Sequence, residues 1–271
     1  MARKRLATLN RRFERDQELK GKYNSVLSVY EKLRFITEVT PDELAGPYPI
    51  YYLPHRAVVR EDAVSSKVRP VFDASAKGYN KISLNDCLET GPSLMPDLVA
   101  ILLKFTRWQV ALTADVCKAF LQIGVRPEDQ NVHRFLWNCN GKVRTMKFLR
   151  VTFGNRSSPF LLNATIKHHI ATYPPSLVVE ELSENIWVDD WLSGADTDLD
   201  TCHLFDDGCA IFSAAKMTLA KCHSNSRVLL DKFCQDSGDH HLQDDAVKVL
   251  GMKWLSIEDS FTFDGAQIPH R

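Results

Sequence analysis

The stretch NIWVDDWLS, residues 185–193, places two adjacent carboxylates between short apolar segments. Ile186, Trp187 and Val188 precede Asp189, and apolar residues also follow Asp190, so the pattern predicts a hairpin with both acids at its tip. Adjacent carboxylates on an apolar element repel each other, and bound cations are a common way to neutralise them at neutral pH. This stretch therefore predicts a sheet hairpin that presents a cation site.

The Asp-Asp dipeptide alone carries little information, because it occurs three times in the chain. The pairs Asp206-Asp207 and Asp244-Asp245 lie among polar or helix-forming neighbours. A solvated surface is the ordinary interpretation of such pairs. Only Asp189-Asp190, which lies between two apolar segments, indicates a functional site.

A second apolar segment, Trp108–Ala114, predicts a strand that delivers Asp115 at its end. Alone, such an aspartate is typically a helix or turn cap. Three carboxylates on neighbouring strand ends, without nearby His or Cys, suit Mg²⁺ better than zinc. Two such ions, about 3.5–4 Å apart, can activate an attacking hydroxyl and stabilise a leaving pyrophosphate.

The remaining periodicity alternates between helical and strand spacing, which predicts an α+β chain. Ser158 is the expected N-cap of a helix with Pro159 at its first position, and Asn140-Gly141 is the expected turn of a hairpin. The other predicted elements are helices over 19–33 and 202–215, a turn over 77–80, and strands over 50–59, 68–72, 133–137, 143–151 and 247–255.

Seven strings, in a fixed order, resemble the reverse transcriptases of BEL/Pao-type LTR retrotransposons. They cover nearly the whole chain from about the first predicted helix onward. The strings are YYLPH (51–55), KVRPVFDASA (67–76), SLNDCL (83–88), ALTADVCKAFLQI (111–123), FGNRSSPFLLNATIKHH (153–169), WVDDWLSGAD (187–196) and VLGMKW (249–254). A lone pair of aspartates is a weak signal, whereas this ordered set is specific.

The resemblance implies an RNA-directed DNA polymerase that adds dNTPs to a primer on an RNA or DNA template. Asp115, Asp189 and Asp190, with the backbone carbonyl of Val116, are implied to hold two Mg²⁺ ions, with Mn²⁺ as an alternative. Lys221 resembles the lysine proposed to protonate or neutralise the departing pyrophosphate.

The resemblance also implies residues that hold the other substrates. Arg69 and the nearby Lys67 resemble the clamp on the incoming triphosphate, where a guanidinium can hold oxygens bidentately. An exposed strand face is their ordinary alternative. Phe120 resembles the bulky gate that excludes a 2′-hydroxyl, although an isolated Phe is equally a core residue.

Two further elements are implied by the resemblance. The loop-to-helix element that backs the nucleotide pocket comprises Phe153, Gly154, Ser158 and Pro159. The primer grip comprises Gly251, Met252, Lys253 and Trp254.

The implied architecture is the fingers and palm of a right-hand polymerase, with an antiparallel palm sheet backed by helices. The expected divisions are a basic helical segment (1–45), mainly fingers (46–110), palm (111–256) with a fingers insertion near 124–152, and the start of a connection (257–271). The chain departs from the family's fullest pattern at Trp187, where Tyr is usual. Because the sequence ends at Arg271, we expect no thumb, RNase H or integrase in it, and weak, salt-sensitive binding of primer-template.

Lys and Arg together number 34, as do Asp and Glu, so net charge gives no support to a nucleic-acid partner. The distribution is uneven. Residues 1–22 carry eight basic and three acidic residues, whereas residues 168–215 carry ten acids and no Lys or Arg. The N-terminal cluster from Ala2 to Arg5 is interpreted as a solvated basic arm, with a nuclear signal as the alternative.

Seven scattered cysteines without a C-x-x-C pair favour a reducing compartment. No apolar run reaches the length of a membrane span, and no signal-peptide core follows the basic N-terminus. We therefore expect an intracellular protein without a membrane partner, in the cytoplasm, in virus-like particles or in the nucleus. If expressed as part of a pol polyprotein, it would also have the remainder of that polyprotein as a partner.

Two other functions remain open on sequence alone. One is a catalytically inactive, retroelement-derived nucleic-acid-binding or scaffold protein that retains the fold. The other is a metal-dependent phosphohydrolase, which would also use clustered acids but would not account for the fingers strand or the primer grip. Retention of Asp115, Asp189, Asp190 and Arg69 favours the polymerase.

Overall fold

The computed structural model describes residues 1–45, 49–59, 67–139, 141–237 and 246–262. The helices are α1 (Ala2–Arg15), α2 (Gln17–Lys32), α3 (Pro41–Ala45), α4 (Leu84–Cys87), α5 (Leu98–Phe105), α6 (Ala119–Gln122), α7 (Ser158–Ile170), α8 (Leu177–Glu184), α9 (Asp198–Ala214) and α10 (Arg227–Ser237), with a 3-10 helix at Pro127–His133.

The strands complete an α+β fold, as predicted. They are β1 (Ile36–Glu38), β2 (His55–Val59), β3 (Val68–Phe72), β4 (Val110–Val116), β5 (Arg134–Cys139), β6 (Lys142–Phe148), β7 (Ile186–Trp187), β8 (Asp190–Ala195), β9 (Leu219–Ser224), β10 (Ala246–Val249), β11 (Met252–Leu255) and β12 (Ser260–Thr262). No helix of the described residues is both long and apolar enough to cross a membrane.

The chain divides into two compact units. Unit 1 contains the described residues of 1–92 and 120–161, and unit 2 contains those of 93–119 and 162–271. Each unit therefore draws on two separated parts of the sequence.

Unit 1 contains an antiparallel sheet of order β1-β6-β5 and the antiparallel β2–β3 hairpin. Helices α1 and α2 bury their apolar faces in its core, which is rich in aromatic side chains. Phe72, Phe135 and Phe148 pack at ring-centroid distances of 4.8–5.3 Å. At this core the buried Tyr23 hydroxyl lies 2.5 Å from Nδ1 of His55. Burial lowers the pKa of His55, so its ring is neutral at pH 7.

Unit 2 is built on a four-stranded antiparallel sheet of order β7-β8-β4-β9. Helices α5, α9 and α10 pack against these strands, and α8 packs against α9. Gly208 of α9 is required at the closest approach, since a Cβ there would stand 2.6 Å from the ring of Trp191 in β8. A second sheet has the order β10-β11-β12.

Several predicted boundaries are wrong. The strand expected over 50–59 begins only at His55, directly after Pro54, which has no N–H to donate to a ladder. The strand expected over 247–255 is two strands, β10 and β11, joined by a turn at Leu250 and Gly251. Ser158 is the first residue of α7, and its hydroxyl donates to the Thr152 carbonyl at 2.6 Å.

The cluster from Ala2 to Arg5 is not a separate arm but part of a helix, as the expected basic helical segment over 1–45 implies, and its basic side chains are exposed. Residues 2–15 form α1, because Leu6, Leu9 and Phe13 recur at helical spacing and are buried in unit 1. The predicted helices over 19–33 and 202–215 and the predicted hairpin around residue 141 are confirmed with shifted ends. Asn140 and the pair Asp244-Asp245 lie outside the described residues.

Candidate active site

The centre of the unit 2 sheet brings two of the predicted acids side by side. In the pairing of β4 with β8, Asp115 lies directly opposite Asp190. The sequence predicted Asp115 at the end of this strand, and Asp115 is the second-last residue of β4, which continues to Val116 while pairing with β9 on its other side. Directly opposed residues of antiparallel strands share one face of the sheet, so the two carboxylates are neighbours.

The third acid occupies the turn between β7 and β8. Trp187 pairs with Asp190, which leaves Val188 and Asp189 as a two-residue turn. Val188 has a φ of 58°, as hairpin turns of this length require at their first central residue. The Asp189 carbonyl accepts a hydrogen bond of 2.7 Å from the Val116 N–H. The predicted hairpin is therefore confirmed, and its tip is fixed to the strand that carries Asp115.

The carboxylates of this tip are partly buried and repel one another. Burial, followed by the charges of Asp189 and Asp115, raises the pKa of Asp190 from 3.8 to about 6. Burial and the Asp115 charge also raise the pKa of Asp189. Loss of hydration and like charge both disfavour the ionised form. A cation placed among these groups would relieve both effects.

The predicted catalytic lysine lies beside this acid cluster. Lys221 belongs to β9, and its ammonium group forms an ion pair with Oδ2 of Asp115. Its charge lowers the pKa of Asp189 and Asp190, against the effect of burial. The pairing of β4 with β9 is irregular between Thr113 and Asp115, and Lys221 there has a φ of 52°. The Lys221 side chain remains 61% exposed, so the ammonium can leave Asp115 without crossing packed side chains.

The acid cluster has the chemistry of a magnesium site but not its finished geometry. Within the described ranges, no three His, Cys, Asp or Glu side chains are close enough to hold a metal ion as they stand. Asp115 is directed to Lys221. The raised pKa values and the hard oxygen donors fit Mg²⁺. Lys221 pairs with Oδ2 of Asp115, which leaves the other oxygen of this carboxylate for a cation.

A buried hydrogen-bond cluster that the sequence did not reveal supports the hairpin. Glu181 of α8 is 6% exposed, and one of its oxygens accepts from the Asn185 amide at 2.6 Å and from the Ser193 hydroxyl at 2.5 Å. The backbone N–H of Leu192 donates to the Asn185 carbonyl at 3.1 Å. Asn185 precedes β7 and Ser193 lies in β8, so one carboxylate holds both strands that carry the acidic tip. No motif marks Glu181 in the sequence.

The residues that are predicted to bind the triphosphate lie in unit 1 and are exposed. Arg69 lies on the solvent face of β3, opposite Val58 of β2, and Lys67 precedes the same strand. Neither forms an ion pair with another described residue. Both side chains are therefore available to an anion.

Phe120 and Phe153, both in unit 1, form an edge-to-face pair with ring centroids 4.9 Å apart. Phe120 is 8% exposed and Phe153 is 51% exposed. Phe120 is therefore a packed residue with one exposed neighbour, a position that permits both of the roles considered from the sequence.

Gly154 adopts a φ of +91°, and a Cβ there would stand 3.1 Å from the Phe72 carbonyl oxygen. Its own carbonyl accepts from the Asn85 side chain at 2.9 Å, and Asn85 also accepts from the Arg156 N–H at 2.9 Å. Asn85, within the SLNDCL string, thus fixes the loop that leads to Ser158 and Pro159. The sequence assigned it no role.

The predicted primer-grip residues form the β10–β11 hairpin. Met252 and Lys253 follow its turn, and Lys253 is exposed. Trp254 is fully buried, packs edge-on against Phe105 at 5.0 Å and donates from Nε1 to Asp259. Its ring therefore holds the hairpin to the core of unit 2 and offers no surface to a ligand.

Comparisons with solved structures identify the fold. One foamy viral protease-reverse transcriptase in complex with double-stranded DNA matches with a TM-score of 0.61 at 16% identity, covering 92% of this chain and 38% of that chain. A second double-stranded DNA complex matches at 0.60 and 17% identity, covering 93% and 44%. A complex with an RNA/DNA hybrid matches at 0.58 and 16% identity, covering 89% and 26%.

These matches show that the chain has a reverse-transcriptase-like α+β fold and that it spans less than half of the chains it resembles. No family model matches the sequence. No curated protein matches it either.

Proposed function

We propose that this chain is the fingers and palm core of an RNA-directed DNA polymerase of the BEL/Pao type, with unit 1 as fingers and unit 2 as palm. The observation that carries the proposal is the pairing of Asp115 with Asp190 beside a turn that bears Asp189. A fold alone does not imply an activity, and this carboxylate arrangement supplies the chemical reason. The ordered motifs of the sequence support the subtype.

Asp115, Asp189, Asp190 and the Val116 carbonyl would hold two Mg²⁺ ions, or Mn²⁺ in their place. Bound there, the ions would activate the primer hydroxyl and stabilise the charge that develops on the leaving pyrophosphate. Lys221, with its exposed ammonium, would neutralise or protonate that leaving group. Its pairing with Asp115 keeps this charge at the acid cluster before substrates arrive.

The residues of unit 1 would hold the nucleotide. Arg69 and Lys67 would bind the triphosphate oxygens, because both are exposed and unpaired by acids within the described chain. Phe120 would exclude a 2′-hydroxyl. The loop held by Asn85 would back the nucleotide, and Met252 and Lys253 of unit 2 would contact the primer. The partners are then dNTPs and a primed RNA or DNA template.

One observation favours a second candidate, an inactive nucleic-acid-binding protein. One oxygen of the Asp115 carboxylate, Oδ2, is paired with Lys221, and the described residues contain no ready-made group of three metal ligands. If the ion pair persisted in the presence of Mg²⁺, the fold would survive without the chemistry.

Primer extension separates these candidates. Purified protein, oligo(dT) annealed to poly(rA), dTTP and Mg²⁺ should give extended primer, and EDTA should abolish extension. Asp189→Asn should also abolish it, with a melting temperature no lower than wild type, because the substitution removes repulsion without changing volume. Asp207→Asn is the matched control, since Asp207 belongs to an exposed pair on α9. Substantial extension by Asp189→Asn would refute the assignment, and no extension by wild type would favour the binding protein.

A further inference from the structure

Helix α1 carries positive charge that no described residue neutralises by an ion pair. Its six basic side chains are all exposed, against one acid, Glu14. None of the six forms an ion pair with a described residue. The six are Arg3, Lys4, Arg5, Arg11, Arg12 and Arg15. Elsewhere in unit 1, Arg144 pairs with Glu31 and Glu38, and Lys147 pairs with Glu43. The charge on α1 is therefore available to an anionic partner.

The helix is held rigidly and divides its basic residues between two faces. Leu6, Leu9 and Phe13 fix one face in the core of unit 1. At 3.6 residues per turn, Arg5 and Arg12 share a flank beside this apolar face, whereas Lys4, Arg11 and Arg15 point away from it. Arg12 donates to the Ala57 carbonyl of β2 at 2.9 Å, which places this flank along the β2–β3 hairpin. Because the helix is already ordered, a ligand here would not have to order it.

A cavity of about 370 Å³ opens where this flank meets the hairpin, entirely within unit 1. Arg5 of α1 and Arg56 of β2 line it, together with Asp73 and Ser75. Asp73 already accepts from the Ser75 N–H at 3.0 Å, and the lining residues include no other acid. Two arginines against one carboxylate leave the cavity with a net positive charge. The only histidine among the lining residues is the neutral His55.

We propose that this cavity binds a backbone phosphate of a single-stranded nucleic acid, with Arg5 and Arg56 holding its oxygens. The proposal rests on the proposed function, since it adds Arg5 and Arg56 as nucleic-acid contacts in a cavity that Gly154 of the nucleotide-backing loop also lines. Planar guanidinium groups match phosphate oxygens in a two-pronged geometry. Helix α1 precedes all the strings that carry the family resemblance. Its basic residues would thus extend the nucleic-acid surface of unit 1.

The test uses the full chain carrying Asp189→Asn, without dNTP or divalent ions, so that catalysis has no part in it. Fluorescence anisotropy measures binding of labelled oligothymidylate over a range of salt concentrations. Arg5→Gln and Arg56→Gln should each weaken binding and reduce the slope of log K against log[salt] by about 0.7, the value for one phosphate contact on a single strand. Arg11→Gln is the control, because it removes the same charge from the outward face of α1.

Each result of this test either supports or overturns the proposed phosphate site. Unchanged melting temperatures with a smaller slope for Arg5→Gln and Arg56→Gln, but not for Arg11→Gln, would support the site. Equal effects of Arg5→Gln and Arg11→Gln, or no binding by the parent chain, would overturn it. Poly-L-glutamate that competes as well as oligothymidylate, with the same dependence on Arg5, would also overturn it. Binding that depends on Arg5, together with no primer extension by the wild-type chain, would refute the polymerase and leave the site standing.

Discussion

Two surfaces of the molecule carry charge that its own residues leave largely uncompensated, and they differ in sign and in burial. In unit 1 the arginines of α1, together with Arg56 of β2 and Arg69 of β3, are exposed to solvent. In unit 2 the aspartates of the β4–β8 pairing are partly buried, with Lys221 as their nearby cation. Water and salt screen the first set, so it alters affinity more than fold stability. Burial makes the second set costly to ionise, so it links the fold to protons and metal ions.

The largest effect on stability is expected at Glu181, whose hydrogen bonds hold the two strands that flank the aspartates. Glu181→Ala leaves the buried amide of Asn185 and the hydroxyl of Ser193 without their acceptor. Unsatisfied buried donors cost about 1–3 kcal/mol each, so the loss of an acceptor for both should lower the free energy of unfolding by about 2–6 kcal/mol. Urea denaturation measures it, and primer extension should fall as well, because both strands of the acidic hairpin lose their common anchor.

Two further variants distinguish anchoring from general damage. Glu180→Ala alters an exposed neighbour on the same helix and should change the free energy of unfolding little. Glu181→Gln retains one acceptor oxygen and should recover part of both stability and extension. If Glu181→Ala were as stable as Glu180→Ala, the hydrogen bonds of Glu181 would not hold the hairpin.

A smaller effect is expected at the aromatic pair of unit 1, where no charge is involved. Phe120→Val shortens a packed ring and should raise incorporation of ribonucleotides relative to deoxyribonucleotides by about tenfold, within the range for changes of bulk in a pocket. Single-nucleotide addition with dNTP and rNTP measures the ratio. Phe120→Tyr keeps the bulk and should keep the preference. An unchanged ratio in Phe120→Val, with lower stability, would make Phe120 a core residue only.

The acidic surface should also respond to pH in a way that the exposed arginines cannot. Folding raises the pKa of Asp190 from 3.8 to about 6, so the folded state binds the proton more tightly than the unfolded state. Its contribution to stability is therefore fully present below pH 3.8 and is lost as pH rises through about 6. Under the proposed function, Mg²⁺ should restore stability above that pH, because an ion held by the ionised aspartates would stabilise the folded form.

Thermal melting of the metal-free chain measures this linkage as the difference between wild type and Asp190→Asn across that pH range. The difference is required because burial lowers the pKa of His55 and His133, and these residues oppose the trend. Asp207→Asn should leave the pH dependence unchanged. Parallel melting curves for wild type and Asp190→Asn would show that Asp190 is not the group that titrates.

The smallest effect belongs to an exposed ion pair of unit 1. Glu18→Gln breaks the pair with Lys22, whose side chains are 78% and 53% exposed. Exposed pairs of this spacing contribute about 0.3–0.5 kcal/mol, so the melting temperature should fall by only about 1–2 °C. Calorimetry at low and high salt measures this change in melting temperature. If Glu18→Gln lost as much stability as Glu181→Ala, the proposed difference in energetic contribution between exposed and buried charges would be wrong.

Local sequence patterns predicted the elements whose neighbours in the chain determine them. The apolar frame around Asp189 and Asp190 indicated the hairpin, and its approach to Asp115 followed from a second apolar strand. Contacts between distant segments that no motif marks could not be predicted. Glu181 is one of many acids in the sequence, and only the fold shows that it is buried beneath the site.

Burial also determines where two other groups of predicted residues lie. The basic residues at the N-terminus suggested a solvated arm, but the three apolar residues between them dock the segment as a helix. Trp254 matched a motif, yet its ring lies in the core of unit 2. In both cases the residue types were read correctly, and the partner that covers the apolar side chains was not visible in the sequence.

The left-handed backbone of Val188 limits how the acidic tip can be improved. A β-branched residue in this conformation is strained by about 1–3 kcal/mol, and the neighbouring strands must supply that energy. Glycine would relieve the strain and raise thermal stability, but it would also widen the range of backbone angles beside Asp189. Stability and precision therefore oppose each other at this position. A programme of directed evolution that selects for heat resistance alone should recover glycine here and lose fidelity or rate in return.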